Sequence, residues 1–133
     1  MADVAKSGIP SVASVGLDPG SQKLPTLLCG EDIAAGDACY VKNDGLIWRS
    51  TGAAANAAAK VRGFAPTKAK SGESLTLVYA CVFNYGASLT PGADYYLSGA
   101  TVGALADAAS TGGTAPIAFA VDATRVAVKQ SHY

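Results

Sequence analysis

The chain has 133 residues, half of them apolar and 15% charged, and its ten basic and ten acidic side chains give a formal net charge of zero. This length suits one domain with a substantial core, and a charged fraction below the usual value of about 25% predicts that part of the surface is buried in an assembly. The balanced charge argues against nucleic-acid binding, and the longest apolar run, residues 77–83, is too short to span a membrane.

The first 23 residues combine glycine and proline with a few apolar side chains and show no helical period. Residues 1–6 are not followed by the apolar segment of a secretory signal, so we expect a soluble protein made in a cytoplasm. The stretch is too irregular to fold alone but too apolar for a solvating linker. We therefore predict an extended N-terminal arm over residues 1–23, ordered by lying on a partner surface, followed by a β domain over residues 24–133.

Regular turn signals from residue 24 onward favour a mainly β fold. Residues 38–42 and 46–50 flank Asn43-Asp44-Gly45, whose Asp-Gly pair is typical of a tight hairpin turn. Further strands are predicted over residues 24–29, 61–65, 75–83, 95–98, 115–121 and 125–129, of which 75–83 is the longest.

One alanine-rich segment competes with the all-β pattern. Residues 53–60 read Ala-Ala-Ala-Asn-Ala-Ala-Ala-Lys, which has high helix propensity, and Thr51 precedes them as a candidate cap. Two turns are marginal for a helix unless it packs onto something. We predict one short helix that crosses between strands.

The two halves of the chain repeat one pattern. In residues 32–47 and again in residues 88–105, an apolar residue precedes a turn ending in glycine, a strand with a central tyrosine follows, and a second glycine-containing turn leads into the next strand. Later, Gly63-Phe64-Ala65 corresponds to Ala118-Phe119-Ala120. The spacing of roughly 55 residues predicts a pseudo-repeat over about residues 30–80 and 86–129. Two such halves suit a small antiparallel β-barrel or sandwich around one shared core.

These motifs carry a family resemblance. Residues 89–98 (Leu-Thr-Pro-Gly-Ala-Asp-Tyr-Tyr-Leu-Ser) and 117–121 (Ile-Ala-Phe-Ala-Val) resemble a small β module common in virion proteins of tailed phages. The first-half motif, with its Ala-Gly-Asp turn and Arg62-Gly63-Phe64-Ala65, is similar to capsid decoration (head cement) proteins in particular. The resemblance covers about residues 24–129, and neither the arm nor the three cysteines match a signature of that family.

The resemblance implies a structural protein on the outer surface of an icosahedral capsid shell, made in the host cytoplasm, that stabilises contacts between major capsid subunits. Its partners would be the major capsid protein and further copies of itself, as a homotrimer or as lattice neighbours, with no nucleic acid and no membrane. The alternative is a receptor- or glycan-binding β module of a phage head or tail fibre. That alternative requires an exposed stacking surface formed by Trp48, Tyr95, Tyr96 and Tyr133.

No sequence pattern indicates catalysis, a cofactor or a metal ion. The one histidine, His132, is the penultimate residue, so no histidine pair can form a zinc site. Cys29, Cys39 and Cys81 are odd in number and widely spaced, which argues against a disulfide framework, and Cys39 and Cys81 are predicted to be buried. We predict a protein that is not an enzyme.

The candidate partner-binding residues are apolar side chains of the arm and a Trp-Arg pair on the first hairpin: Ile9, Pro10, Val12, Val15, Leu17, Trp48 and Arg49. Tryptophan and arginine are enriched among residues that dominate binding energy. Trp48 could equally cap the barrel core, and the sequence leaves both interpretations open. The densest basic stretch, Lys60, Arg62, Lys68 and Lys70, is predicted to be a solvated edge or loop.

Overall fold

The computed structural model describes residues 3–14 and 23–130, and these residues form eleven β-strands and one 3₁₀ turn. The strands are β1 (Ser11–Ser14), β2 (Lys23–Leu28), β3 (Ala38–Val41), β4 (Ile47–Arg49), β5 (Gly63–Phe64), β6 (Ser74–Val78), β7 (Cys81–Asn84), β8 (Asp94–Leu97), β9 (Leu105–Ala106), β10 (Ala118–Ala120) and β11 (Arg125–Val128). The predicted mainly β fold is confirmed, and so is the hairpin formed by β3 and β4.

The strands form two antiparallel sheets with the same internal order. The first sheet runs β2-β6-β5-β3-β4, and the second runs β7-β11-β10-β8-β9 with β1 added beyond β7. Each half of the chain therefore places five strands in equivalent positions. The prediction of two similar halves is confirmed.

The equivalence extends to the pairing of individual residues across neighbouring strands. Ala38 lies opposite Phe64 in the first sheet, and Asp94 lies opposite Phe119 in the second. Because a shift of one residue would turn every side chain to the other face, this shared register means that equivalent positions in the two sheets have equivalent orientations.

Additional pairing draws the edges of each sheet toward closure, as in a barrel. In the first sheet Cys29, which follows β2, forms a bridge with Ile47 of β4 at the opposite edge. In the second sheet the residue that pairs with the edge strand β9 is Asp3, which forms a bridge with Ala106. In the first sheet the residue that pairs with the edge strand directly follows β2. In the second sheet the pairing residue comes from the N-terminal segment, which is distant in sequence from that sheet.

The predicted long strand over residues 75–83 is wrong, because it is two strands in different sheets. β6 belongs to the first sheet and β7 to the second, and the chain turns between them at Tyr79 and Ala80. Ala80 has φ of 54°, the only positive φ of a non-glycine residue in the described chain. A run of apolar residues does not reveal this turn, since both strands bury side chains and the break depends on which sheet each one joins.

The predicted short helix over residues 53–60 is reduced to a single 3₁₀ turn, Ala57–Ala59. Its cap is Asn56, whose side chain accepts a hydrogen bond of 3.0 Å from the backbone N–H of Ala58, whereas the predicted cap Thr51 accepts one from Ala53. Within the turn only Ala59 is buried. Alanine side chains bury too little surface to hold two turns of helix against the sheet.

Two clusters of buried side chains form the core. The smaller one lies on the inner face of the first sheet and consists of Cys29, Ile33, Cys39, Ile47, Ala65, Ala69, Leu75 and Leu77. Ala38 is adjacent to Cys39 in β3, so it points to the opposite face and joins the larger cluster with Phe64. There Phe64 packs against Phe83 of the second sheet, with ring centroids 6.0 Å apart. The outer face of the first sheet is therefore covered by the second.

Candidate partner-binding surface

Residues 3–14, the described part of the predicted arm, are extended and lie against the sheets of their own chain. β1 pairs with β7 at one edge of the second sheet, and Asp3 reaches Ala106 at the other edge. Between them the backbone N–H of Ser7 donates to the carbonyl of Tyr85 at 2.8 Å. The sequence predicted ordering on a partner surface, but these residues find hydrogen-bond partners within the domain itself.

Asp3 is anchored by two hydroxyl groups of the second half. Its carboxylate accepts hydrogen bonds from the side chains of Ser98 and Thr101, and these bonds hold the pKa of Asp3 below its ordinary value. A lowered carboxyl pKa means that this contribution to stability is present above the unfolded value of 3.8 and is lost as the pH falls through the folded value.

Lys6 forms an ion pair with a buried carboxylate. Its ammonium lies 2.8 Å from Oδ1 of Asp37, whose side chain is only 5% exposed, and 3.3 Å from the carbonyl of Ala35. The other carboxylate oxygen of Asp37 accepts a hydrogen bond of 3.0 Å from the backbone N–H of Ala34. Since a buried charge is costly unless it is paired and hydrogen-bonded, this pair ties the arm firmly to the turn before β3.

Pro10 and Ile9 are adjacent but have opposite environments. Pro10 is buried, and its ring lies close to Gly36. Ile9 is 84% exposed, more than any other large apolar side chain in the described part of the chain. The anchored backbone therefore presents an isoleucine to solvent at a fixed position.

Two grooves share lining residues, and Ile9 lines the smaller of them; we call the pair the double groove. The smaller, of about 220 Å³, lies beside Ile9 and Pro10, and the larger, of about 770 Å³, extends toward Arg49. Both are lined by Ala34 and Lys68, so the two grooves are neighbours on the surface. The structure thus brings arm residues and a hairpin residue, which are far apart in sequence, to the same surface.

Arg49 lines the larger groove and is fixed by Glu31. Its guanidinium lies 3.0 Å from the Glu31 carboxylate, and its backbone N–H donates to the same carboxylate at 2.9 Å. The side-chain hydrogen bond to Glu31 raises the pKa of Arg49. Arg49 therefore joins the loop after β2 to β4, and its charge is partly neutralised before any partner binds.

Trp48 is half-buried and held within its own hairpin. Its indole N–H donates to the Asp44 carboxylate at 3.2 Å, and the Lys42 ammonium lies 4.5 Å from the ring centroid. Gly30 lies directly beneath the ring. These contacts explain how Trp48 is held in place on the hairpin. A role of Trp48 in binding a partner stays a prediction.

The other predicted contact residues have different positions. Val12 is partly buried against the larger core cluster, whereas Val15 and Leu17 lie outside the described residues. Sequence reasoning missed Lys68, which was assigned to a solvated loop, and Ala34. The signal for Lys68 is its neighbour Ala69, which forms a bridge with Ile33 and so draws the basic loop toward the turn after β2.

No protein-family model and no curated protein matches the chain. Within residues 3–14 and 23–130 there is no group of three or more side chains suited to hold a metal ion, and no helix long and apolar enough to cross a membrane.

All three cysteines are free and buried. Burial raises the pKa of each thiol, to about 11 for Cys81 and well above its ordinary value for Cys39. Because the thiolate is the reactive form, these side chains are small apolar groups of the core at neutral pH, as the sequence predicted for Cys39 and Cys81.

Three of the four aromatic rings that the glycan-binding alternative requires lie within the described residues. Tyr95 is buried, and its hydroxyl accepts a hydrogen bond from the backbone of Thr90. Trp48 and Tyr96 are half-buried in different sheets, and Tyr133 lies outside the described residues.

Gly36 and Gly92 provide a matched test of how Pro10 holds the arm. Both have φ near +84°, but an added Cβ would lie 2.7 Å from the Pro10 side chain at Gly36 and within 4 Å of nothing at Gly92. We expect Gly92→Ala to cost about 1 kcal/mol from backbone strain alone. Gly36→Ala should cost more and should speed proteolytic cleavage within the arm, as measured by urea unfolding and limited proteolysis. Equal cleavage of both variants would show that Pro10 does not hold the arm.

Proposed function

We propose that the chain is a structural virion protein that binds the outer surface of an icosahedral capsid shell and stabilises contacts between major capsid subunits. The observation that carries this proposal is Ile9, which is highly exposed although Lys6 and Pro10 are anchored close to it in the chain. Together with the double groove, Ile9 forms the contact surface, and the sequence resemblance to decoration proteins supplies the partner.

A preorganised apolar contact suits binding to a lattice. Lys6 and Pro10 fix the backbone around Ile9, so docking costs little conformational entropy in this segment. An isoleucine that is nearly fully exposed can bury most of its side chain on binding, which is worth about 2 kcal/mol per copy. Repetition of this contact over a shell multiplies its effect.

The rim of the double groove has the mixed polar character of a protein interface. Lys68 and Lys70 contribute positive charge, and Asp32 and Glu73 contribute negative charge. The Lys68 ammonium makes no ion pair with another described side chain. An apolar centre within a polar rim is the usual arrangement of such interfaces.

The proposal is tested by co-sedimentation with shells that lack the protein. We expect Ile9→Asp to weaken saturable binding by at least about tenfold, since it removes apolar contact and buries a charge. The control is Val102→Asp, which alters an exposed apolar residue in the turn between β8 and β9. Wild-type protein that folds but stays in the supernatant would overturn the proposal, and so would equal binding by both variants.

Point substitutions are preferable to deletion of residues 2–23. That deletion also removes Asp3, Lys6 and Pro10, so a loss of binding could reflect a destabilised domain. Ile9→Asp changes an exposed side chain and should leave the thermal unfolding midpoint within a few degrees of wild type.

A further inference from the structure

The outer face of the second sheet exposes apolar side chains that no described residue covers. Phe119 in β10 is 49% exposed, and Val121, two residues later on the same side, is 41% exposed. Ala127, which lies opposite Phe119 in β11, is half-buried. A phenylalanine at the centre of a sheet face is costly to leave in water.

The first half of the chain shows how the equivalent face is used. Phe64 and Phe119 have equivalent positions in the two sheets. Phe64 lies opposite a residue of β3, and Phe119 lies opposite a residue of β8, and each of these strands begins the hairpin of its half. Phe64 is 1% exposed because the second sheet covers it. Within residues 3–14 and 23–130, one of the two equivalent faces is therefore covered and the other is left exposed.

Two opposite charges flank the uncovered phenylalanine. A groove of about 120 Å³ beside Phe119 has both Asp94 and Lys129 among its lining residues. Asp94 lies opposite Phe119 in the register, where the first sheet has Ala38. Neither the Asp94 carboxylate nor the Lys129 ammonium forms an ion pair with another side chain in the described parts of the chain.

We propose that this face binds the same face of a second copy of the chain across a two-fold axis. A surface that carries one exposed ring, one groove and one charge of each sign is self-complementary. Phe119 of each copy enters the groove of the other, and Asp94 of each copy faces Lys129 of the other. The charge complementarity selects a second copy over an unrelated apolar partner.

Self-association is separable from shell binding because it uses a different surface. The double groove is formed by the arm and the first half of the chain, whereas the pairing face belongs to β8, β10 and β11 of the second half. The inference therefore does not rest on the proposed function. Ile9→Asp should leave the association state unchanged.

The first measurement is sedimentation equilibrium of the purified full chain over a range of concentrations. We expect a monomer–dimer equilibrium with no larger species, and Phe119→Ser should weaken dimerisation by at least about tenfold. Val41→Ser is the matched control, since Val41 is an exposed apolar residue in the first sheet. A wild-type chain that stays monomeric at all concentrations overturns the proposal.

Charge reversal gives a sharper test, and both residues that it changes are exposed. Asp94→Lys and Lys129→Asp should each weaken the dimer about tenfold, because each places two like-charged pairs across the axis. An equimolar mixture of the two variants should dimerise again, since both pairs in the mixed dimer are then of opposite charge. The double variant should dimerise as well.

Other outcomes identify other occupants of the face. Dimers that are insensitive to all three positions, or a mixture of the charge variants that stays monomeric, would rule out this two-fold pairing. If Phe119→Ser abolished shell binding while the wild-type chain remained monomeric, the face would bind the shell protein and the proposal would be wrong.

Discussion

Replacing Phe64 with alanine is expected to destabilise the protein by about 4 kcal/mol. The ring is fully buried between the two sheets and packs on Phe83, so its loss leaves a cavity at the place where the halves of the chain meet. The equivalent change Phe119→Ala removes a ring that is half in solvent and should cost less than about 1 kcal/mol. The two variants delete the same atoms from equivalent register positions and differ only in what covers them.

The free energies of unfolding of both variants can be measured by urea titration at concentrations low enough to keep the chain monomeric. A single cooperative transition is expected for the wild type, because one cluster of buried side chains joins the two sheets. Similar losses for Phe64→Ala and Phe119→Ala would mean that the second sheet does not bury Phe64. Two separate transitions would mean that the halves unfold independently.

Removing the charge of Lys6 is expected to have the second-largest effect. Lys6→Met leaves Asp37 buried without its ionic partner, and loss of one member of a buried pair costs about 3 kcal/mol. The Lys6 side chain is 27% exposed, which places the expected loss at the lower end of the usual range. The variant should also release residues 3–14 from the second sheet, which faster amide exchange of the β1 backbone would show.

The exposed pair of Asp122 and Arg125 serves as the control. Both side chains are 42% exposed, so Arg125→Ala should change the free energy of unfolding by less than about 1 kcal/mol. The double variant Lys6→Met/Asp37→Asn should recover part of the stability lost in Lys6→Met, because no charge is then left buried. An equal loss in the single and double variants would show that Lys6 acts through packing alone.

The parts of the fold that depend on local chemistry could be predicted from the sequence. Gly36 and Gly92 mark turns that have a positive φ, and their spacing within similar surroundings indicated the repeat. The turn at Ala80 could not be predicted, because alanine carries no preference for that conformation. It is imposed by the separate sheets into which β6 and β7 pair.

The candidate surface was only partly predictable, for a related reason. Ile9 is exposed whereas Pro10 is buried, so the apolar residues predicted to bind a partner do not share one environment, and their role in binding stays a prediction. The position of the arm was not predicted, since Asp3 and Lys6 find their partners 95 and 31 residues away. Single-sequence patterns report on neighbours within a turn or a strand, and they do not show which distant carboxylate a lysine will meet.

The bridge between Asp3 and Ala106 has a consequence for the order of folding events. The segment of residues 3–14 is synthesised before its pairing partners β7 and β9, which lie about 70 to 100 residues later in the chain. Closing a loop of about a hundred residues is slow compared with forming a hairpin. We therefore expect the segment to dock after the second sheet has assembled and to be among the first parts of the described chain to detach during unfolding.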